Sequence, residues 1–311
     1  MKALVSSSYG PVDELELVEL PVPAPGPGQV QVKVAAAALN PLDVILITGR
    51  LKAVLPVEHP FVPGMDASGV VTAVGEGVTG YAVGDEVVAF THDTTGTLAE
   101  YTLVAEGPGL VRRPENLDAV RAAALPVTSM TASALLEAAE LKPGQTVLVV
   151  GATGGIGSFL VQLVARAGAE VLATAQAADR DYVLGLGARH AIDYTAVDTV
   201  EEARRLHPGG VDVAIDLVNG GPAVEATAAA VKDGGRLVSS IGVPETLERG
   251  ISPVHVGVEG GIGRLEGIVG QVAAGELAVE VSATYPAEQA RQAYVDFVAG
   301  KHTRGKVVVT F

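Results

Sequence analysis

There is no cysteine in the 311 residues. That single absence removes disulfides, thiolate zinc sites, iron–sulfur ligation and cysteine nucleophiles. Positive charge is scarce as well. The 21 Lys and Arg residues stand against 36 Asp and Glu, a net charge of −15, so no basic face is offered to a nucleic-acid backbone. Long apolar runs are also missing: the most apolar stretch, 147–175, is interrupted by Gln162, Arg166 and Glu170 and does not read as a membrane span. The opening MKALVSSSYGP has no apolar h-region behind its one lysine. These absences set the expectation of a cytoplasmic protein with no nucleic-acid and no membrane partner. Two enzyme signatures are lacking too. None of the seven tyrosines has a lysine four residues later, and no GxxxxGK[ST] occurs, which sets aside short-chain reductases and P-loop NTPases.

What the chain does contain is 48% hydrophobic residues, ample for buried cores, punctuated by 38 glycines and 18 prolines with no fixed period. Residues 1–118 read as β-rich. QVQVKV (29–34) alternates with period two, and GVVTAV (69–74), EVVAF (86–90) and AEYTLVA (99–105) are β-branched runs between glycine turns. Such short strands predict a barrel or sandwich. Near Asn116 the character changes. Residues 119–141 are helical in tone except around Pro126, and from TVLVV (146–150) onward β and α patterns alternate, with PAVEATAAAVKDG (222–234) as a helix before GRLVSSIG. Alternation of this kind predicts a doubly wound parallel sheet. The expected division is a β domain over 1–120, a nucleotide-binding domain over 121–262, and a return over 263–311 that completes the first.

Within VLVVGATGGIG (147–157) the dinucleotide spacing GxGxxG falls on Ala152, Gly154 and Gly157. A strand precedes the turn, a helix follows it and a second strand lies beyond, which is the setting in which helix N–H groups hold a pyrophosphate. The expected contacts are Gly151, Ala152, Thr153, Gly154, Gly155, Ile156 and Gly157. A second run, GGIGR (260–264), lacks a strand leading into it and reads as a helix-entry turn. Cofactor choice is made at the end of the second strand, where an NAD site places a carboxylate for the ribose 2′-hydroxyl. Here the strand ends in Thr174, Ala175 and Gln176, with Arg180 a few residues on. NADP(H) is the expected cofactor; the alternative for Arg180 is a solvated helix-start charge.

Across essentially its whole length the chain resembles the medium-chain dehydrogenase/reductase superfamily. The resemblance rests on PVPAPGPGQVQVKVAAAALNPLD (21–43), PGMDASGVVTAVGEGV (63–78), VGDEV (83–87), ALPVTSMTASALL (124–136), ATGGIG, LGARHAIDY (186–194), GRLVSSIG (235–242) and RGKVVV (304–309), in that order. It implies an α/β protein with a GroES-like β-barrel domain and a Rossmann domain, and the branch is similar to the zinc-free quinone oxidoreductases. Zinc members of the superfamily use a Cys, a Gly-His-Glu and a second Cys as ligands. In this sequence Asn40 stands at the first Cys position and Gly64-Met65-Asp66 replaces Gly-His-Glu, so no metal is expected.

The resemblance further implies that Asn40 lies near the nicotinamide ribose and that Thr128 and Thr131 lie beside the nicotinamide and phosphates. Helix capping is the alternative for the threonines. By the same resemblance Thr174, Arg180 and Tyr194 surround a 2′-phosphate, although Tyr194 also reads as an ordinary strand-end aromatic. Leu217, Val218, Ile241, Gly242 and Val243 pass under the nicotinamide, and Lys306 faces the cofactor cleft. A substrate-pocket tyrosine common in the family is absent, with Ile47 and Leu51 standing in its motif. The loop THDTTGT (91–97) offers His92 or Asp93 as a replacement acid, but a solvated loop is the simpler reading, and an apolar pocket with no dedicated acid is expected. The implied activity is NADPH-dependent hydride transfer to an apolar quinone or activated alkene, in a homodimer paired along the strand VHVGV (254–258). A trans-enoyl thioester reductase and a non-catalytic NADPH-binding sensor are the alternatives.

Overall fold

The computed structural model describes residues 1–91 and 96–311, with Val258 and Glu259 described by their backbone alone. It forms two compact units, Met1–Val127 with Gly263–Phe311, and Thr128–Ile262.

The first segment runs through strands β1 (Lys2–Val5), β2 (Glu16–Glu19) and β3 (Gln29–Ala38), helix α1 (Pro41–Ile47), and strands β4 (Asp66–Val74), β5 (Glu86–Phe90), β6 (Tyr101–Ala105) and β7 (Leu110–Arg112). Helix α2 (Ala119–Ala123) follows, and helix α3 (Pro126–Ala139) begins at the proline, whose missing N–H is harmless at a helix start. Strand β3 explains the register of this unit. Its first half alternates between buried and less buried residues, as the period-two pattern predicts. From Ala36 to Leu39 every residue is buried, because both faces are covered: Ala37 and Leu39 pack in one core cluster, Ala36 and Ala38 in another with Ala123 and Ala124. Small alanines let α2 approach that closely.

The second unit alternates strand and helix: β8 (Thr146–Val150), α4 (Gly155–Arg166), β9 (Glu170–Thr174), α5 (Arg180–Gly185), β10 (His190–Ile192), α6 (Thr199–Leu206), β11 (Val211–Asp216), α7 (Pro222–Thr227), β12 (Val231–Ser239) and β13 (Ser252–His255). The sheet order is β10-β9-β8-β11-β12-β13 with every pairing parallel, the doubly wound arrangement. Two sequence expectations are corrected here. The helix expected over 222–234 ends early, and Val231 already pairs with Val211 as the first residue of β12. A bulge between that pair and Val213–Arg236 absorbs the polar Lys232–Gly235 segment. The strand expected at 254–258 starts at Ser252 and stops at His255, since a 3-10 segment over Val258–Arg264 takes the chain into the next helix. That segment contains the second glycine run, as a helix entry. Strand β13 is the edge of the sheet.

The return segment contributes α8 (Leu265–Ala273), β14 (Val281–Pro286), α9 (Ala290–Val298) and β15 (Lys306–Thr310) to the first unit. Its seven-stranded sheet runs β14-β15-β3-β4-β5-β7, and β6 also pairs with β3. Strand β15 meets β3 antiparallel at residues 36–38, so the last strand of the chain lies beside the stretch that leads into α1. Helix α9 lays Ala290, Ala293 and Tyr294 on the same core as Leu39 and Ile47.

Candidate active site

In the second unit the glycine turn joins β8 to α4. Gly151 has φ +86°, and a Cβ there would stand 2.7 Å from the Val218 side chain. A Cβ on Gly157 would stand 2.1 Å from the Gly151 carbonyl oxygen, so only glycine lets α4 pack onto the turn. Gly154 differs: the nearest atom to a Cβ there is 3.7 Å away, and the space before the helix N-terminus is left clear. Gly154 precedes a 12-residue helix whose first N–H groups lack intrahelical partners, an arrangement suited to an anion. The turn is tied down by Thr174, the last residue of β9, whose hydroxyl oxygen accepts the Gly151 N–H at 2.9 Å. Thr174 is 3% exposed.

The neighbouring strand ends carry buried polar residues that also shape the loops after them. Asp216, fully buried, accepts the Val218 N–H at 3.0 Å, the Asn219 N–H at 2.9 Å, the Asn219 side-chain amide at 2.9 Å and the Thr227 hydroxyl at 2.6 Å. Ser239 Oγ accepts the Ile241 N–H at 3.1 Å. The loops so held leave Val218 60% and Ile241 52% exposed, with Leu217, Gly242 and Val243 half-buried beside them. Exposed β-branched side chains at the carboxyl ends of a parallel sheet form an apolar floor where such sheets bind ligands. Sequence reading had named Leu217, Val218 and Ile241 but missed Asp216 and Ser239, which aim them.

At the outer strands, Tyr194 stands just past β10 and accepts a hydrogen bond from Gln176 Nε2 at 3.0 Å, both near the surface. Arg180 is exposed at the start of α5, and Ala175 is buried behind the pair. Thr128 and Thr131 are buried three residues apart on α3, hence on one helix face.

The first unit holds a buried polar cluster. Asn40 precedes α1, and its N–H donates to the Asp43 carboxylate at 2.8 Å. Its side-chain Nδ2 donates to Asp66 Oδ2 at 3.0 Å. Lys306 Nζ donates to Leu39 O and Asn40 Oδ1, each at 2.6 Å, and to Asp66 Oδ2 at 3.2 Å. The second Asp66 oxygen accepts the Val127 N–H at 2.9 Å, and the Tyr294 hydroxyl donates to Asp43 at 3.0 Å. Asp43 and Asp66 are fully buried, and Asn40 and Lys306 nearly so. Burial pushes the Asp43 carboxyl up to about 7. It also raises Asp66, with the Lys306 ammonium pulling the other way, and raises the Tyr294 phenol well above its usual range. One Asp43 oxygen, Oδ1, is buried with no hydrogen-bond partner.

Sequence reading named Asn40 and Lys306 separately, as residues facing a cofactor; the structure joins them to each other. Lys306 turns its ammonium inward onto protein acceptors. Ile47, which stands in the motif of the absent tyrosine, lies in the α9 core, and Leu51 is exposed. His92 and Asp93 lie outside the described residues.

The Rossmann unit and its glycine turn mark a pyridine-nucleotide-binding oxidoreductase, and relatives of the chain bear this out. The profile of the alcohol dehydrogenase GroES-like domain matches residues 26–115, and that of the zinc-binding dehydrogenases matches residues 186–309. The chain is 32% identical to the chloroplast envelope quinone oxidoreductase homolog of Arabidopsis thaliana, over 99% of this chain and 98% of that protein. It is 37% identical to a chloroplastic quinone-oxidoreductase homolog of Spinacia oleracea, over 68% of this chain and 65% of the relative. It is 35% identical to the chloroplastic NADPH-dependent alkenal/one oxidoreductase of Arabidopsis thaliana, over 78% and 63%. In these last two matches the chain spans just under two thirds of the relative's length. Among solved structures, the quinone oxidoreductase of Coxiella burnetii superposes with a TM-score of 0.88 at 29% identity, covering 100% of this chain and 99% of that one. A mycobacterial protein complexed with NADPH superposes with a TM-score of 0.88 at 27% identity, covering 100% of both. The chain belongs to the quinone oxidoreductase branch of the medium-chain dehydrogenase/reductase superfamily, and it is an oxidoreductase.

The description of one matching family implies zinc, and the residues here do not fit it. At the positions corresponding to two of the catalytic ligands stand an amide, Asn40, and a thioether, Met65. The Lys306 ammonium lies against both Asn40 and Asp66, so a divalent cation would meet a like charge. Among the described residues no group of three or more His, Cys, Asp or Glu is arranged to hold a metal. Nor is any described helix long and apolar enough to cross a membrane.

Proposed function

We propose that this oxidoreductase is an NADPH-dependent reductase of quinones or activated alkenes that works without a metal. The observation that carries the reading is the end of β9, where the chain continues into Ala175 and Gln176 with no carboxylate to repel a 2′-phosphate. Gln176 and Tyr194 pair beside this end, and Arg180 stands exposed at the head of the next helix. Thr174 accepts the Gly151 N–H, and we assign it to holding the turn, with Tyr194, Gln176 and Arg180 assigned to the 2′-phosphate. When bound, NADPH supplies a hydride from its nicotinamide C4.

The residues of the chain bind and orient. The N–H groups at the start of α4 hold the pyrophosphate, and Val218 and Ile241 give the nicotinamide an apolar surface. A quinone or enone spreads the incoming pair of electrons onto a conjugated oxygen, which hydrogen-bond donors and solvent can serve, and the proton then comes from water. The relatives named for quinone and alkenal/one reduction support this substrate class. The same reading includes a homodimer paired along the edge strand β13, which would cover an otherwise open edge. A monomeric mass in light scattering overturns that part.

The cofactor is tested by calorimetric titration of wild type and Arg180→Ala with NADPH and NADH. Loss of a charge-assisted contact weakens NADPH roughly tenfold to a hundredfold and leaves NADH unchanged. Equal weakening of both overturns the assignment. Activity is tested by NADPH oxidation against quinones, enones, enoyl thioesters and aldehydes. Turnover confined to thioesters identifies the chain as an enoyl reductase, and NADPH binding without any turnover identifies it as a sensor.

A further inference from the structure

We infer that Lys306 is the resident cation of the site where the zinc-type members of the superfamily place a metal, and that it acts as a positioning residue for Asn40. The inference rests on the NADPH reading above for its kinetic consequence only; its geometry stands apart from it.

An ammonium has three N–H donors and no acceptor. Lys306 has three acceptors in reach: the Leu39 carbonyl, the Asn40 carbonyl oxygen and the Asp66 carboxylate. Its donor capacity is therefore filled by the protein, and at 5% exposure it has no water shell to fall back on. The same arrangement settles the orientation of the Asn40 amide. Oδ1 must face the ammonium and Nδ2 must face Asp66 Oδ2, because a flipped amide would set N–H donors against N–H donors and oxygen against carboxylate.

The Asn40 backbone is held from a third side by Asp43, which Tyr294 in turn holds. Asn40 is thus fixed by groups from β4, β15 and α1, with α9 behind them. The charge balance has the same logic as a metal site. Asp66 is buried, and among the described residues the cation in contact with it is the Lys306 ammonium, at 3.2 Å. A cation delivered by the chain itself, from the first residue of its last strand, makes this pairing available only once β15 has paired with β3. The site is completed by folding rather than by metal loading.

Lys306→Met keeps the length of the side chain and removes the charge. It is assayed at a temperature where circular dichroism shows it folded. The expected result is an NADPH KM raised about tenfold, equivalent to about 1.4 kcal/mol, with the KM for the acceptor unchanged. A role in stability alone would lower kcat through the folded fraction and leave both KM values alone; that result overturns the proposal. Should Lys306→Met not fold, Lys306→Gln, which keeps one donor for Asp66, carries the same expectation.

A second readout needs no cofactor. In the apoprotein the Asn40 side-chain amide protons, assigned by their loss in Asn40→Asp, exchange slowly with solvent, and in the Lys306 variant they exchange at least about tenfold faster. Unchanged exchange overturns the inference. If wild type binds no NADPH, the functional reading fails while the exchange result still decides the role of Lys306.

Discussion

Asp66 and Asp216 are both fully buried aspartates at one end of a strand, and each accepts several hydrogen bonds, but they are satisfied in opposite ways. The partners of Asp216 come from two, three and eleven residues further along the chain, and they are backbone N–H groups, an amide and a hydroxyl. It is a local turn device that needs no cation. Asp66 reaches 26 residues back to Asn40, 61 forward to Val127 and 240 forward to Lys306, and its charge is met by an ammonium. One carboxylate shapes a loop, while the other ties together elements that nothing in the local sequence connects. The teaching is that a buried acid can serve as punctuation or as a keystone, and that the sequence distance of its partners tells which.

The comparison is broken most directly by deleting each acid. Asp66→Leu strands the Lys306 ammonium without a counter-charge, and unfolding in urea should show a loss of about 3–5 kcal/mol. Asp216→Asn keeps an acceptor for the loop but turns donors toward the Asn219 amide and Thr227 hydroxyl, for a loss of about 1–3 kcal/mol. If Asp216→Asn proves the more damaging of the two, the long-range pair is not the keystone.

The keystone has one cation for two carboxylates, and this sets its pH dependence. Asp43 has a raised carboxyl, about 7 in the folded chain against an ordinary 3.8, so between those values the folded state holds a proton that the unfolded chain has released. Stability from this group is therefore full at low pH and declines as pH rises towards 7, by about 1 kcal/mol per pH unit. Asp43→Asn should flatten that slope in urea midpoints taken at pH 5, 6 and 7. A wild-type profile that rises over this window would show Asp43 to be ionised in the fold.

The smallest effect belongs to the local side. Thr174→Val deprives the Gly151 N–H of its acceptor, costing about 1 kcal/mol, and should weaken NADPH and NADH together, since the turn serves the pyrophosphate they share. Selective loss of NADPH would instead return Thr174 to the 2′-phosphate.

Much of the second unit is legible along the chain because its decisive features are local. The strand–turn–helix around 147–157 contains its own glycine spacing, and the strands alternate with helices at short range. Even the missed Asp216 had a signal, an acid closing a strand with Asn219 three residues later, a spacing that suits side-chain capping of a turn. The bulge in β12 was not legible, since Lys232–Gly235 is polar and reads as a helix end; only pairing with β11 shows the strand already running at Val231. In the first unit the contacts of Ile47 and Lys306 were not legible for the same reason. An isoleucine in a family motif and a lysine at the head of a valine-rich strand carry no local sign of their partners until α9 and β3 are folded against them.

The amino-acid sequence by itself determined the parallel nucleotide-binding unit, the glycine turn, the lack of thiolate chemistry and the lack of a carboxylate after β9, because each is a property of adjacent residues: spacing, backbone freedom and side-chain type. The tertiary structure alone decided that Asn40, Asp66 and Lys306 form one buried cluster, that Thr174 holds the turn, and that Asp43 is the acid left without a cation. Those are consequences of burial and of contacts 23 to 266 residues apart, and the low-dielectric surroundings that both penalise the charges and strengthen their pairing exist only once the chain has closed around them.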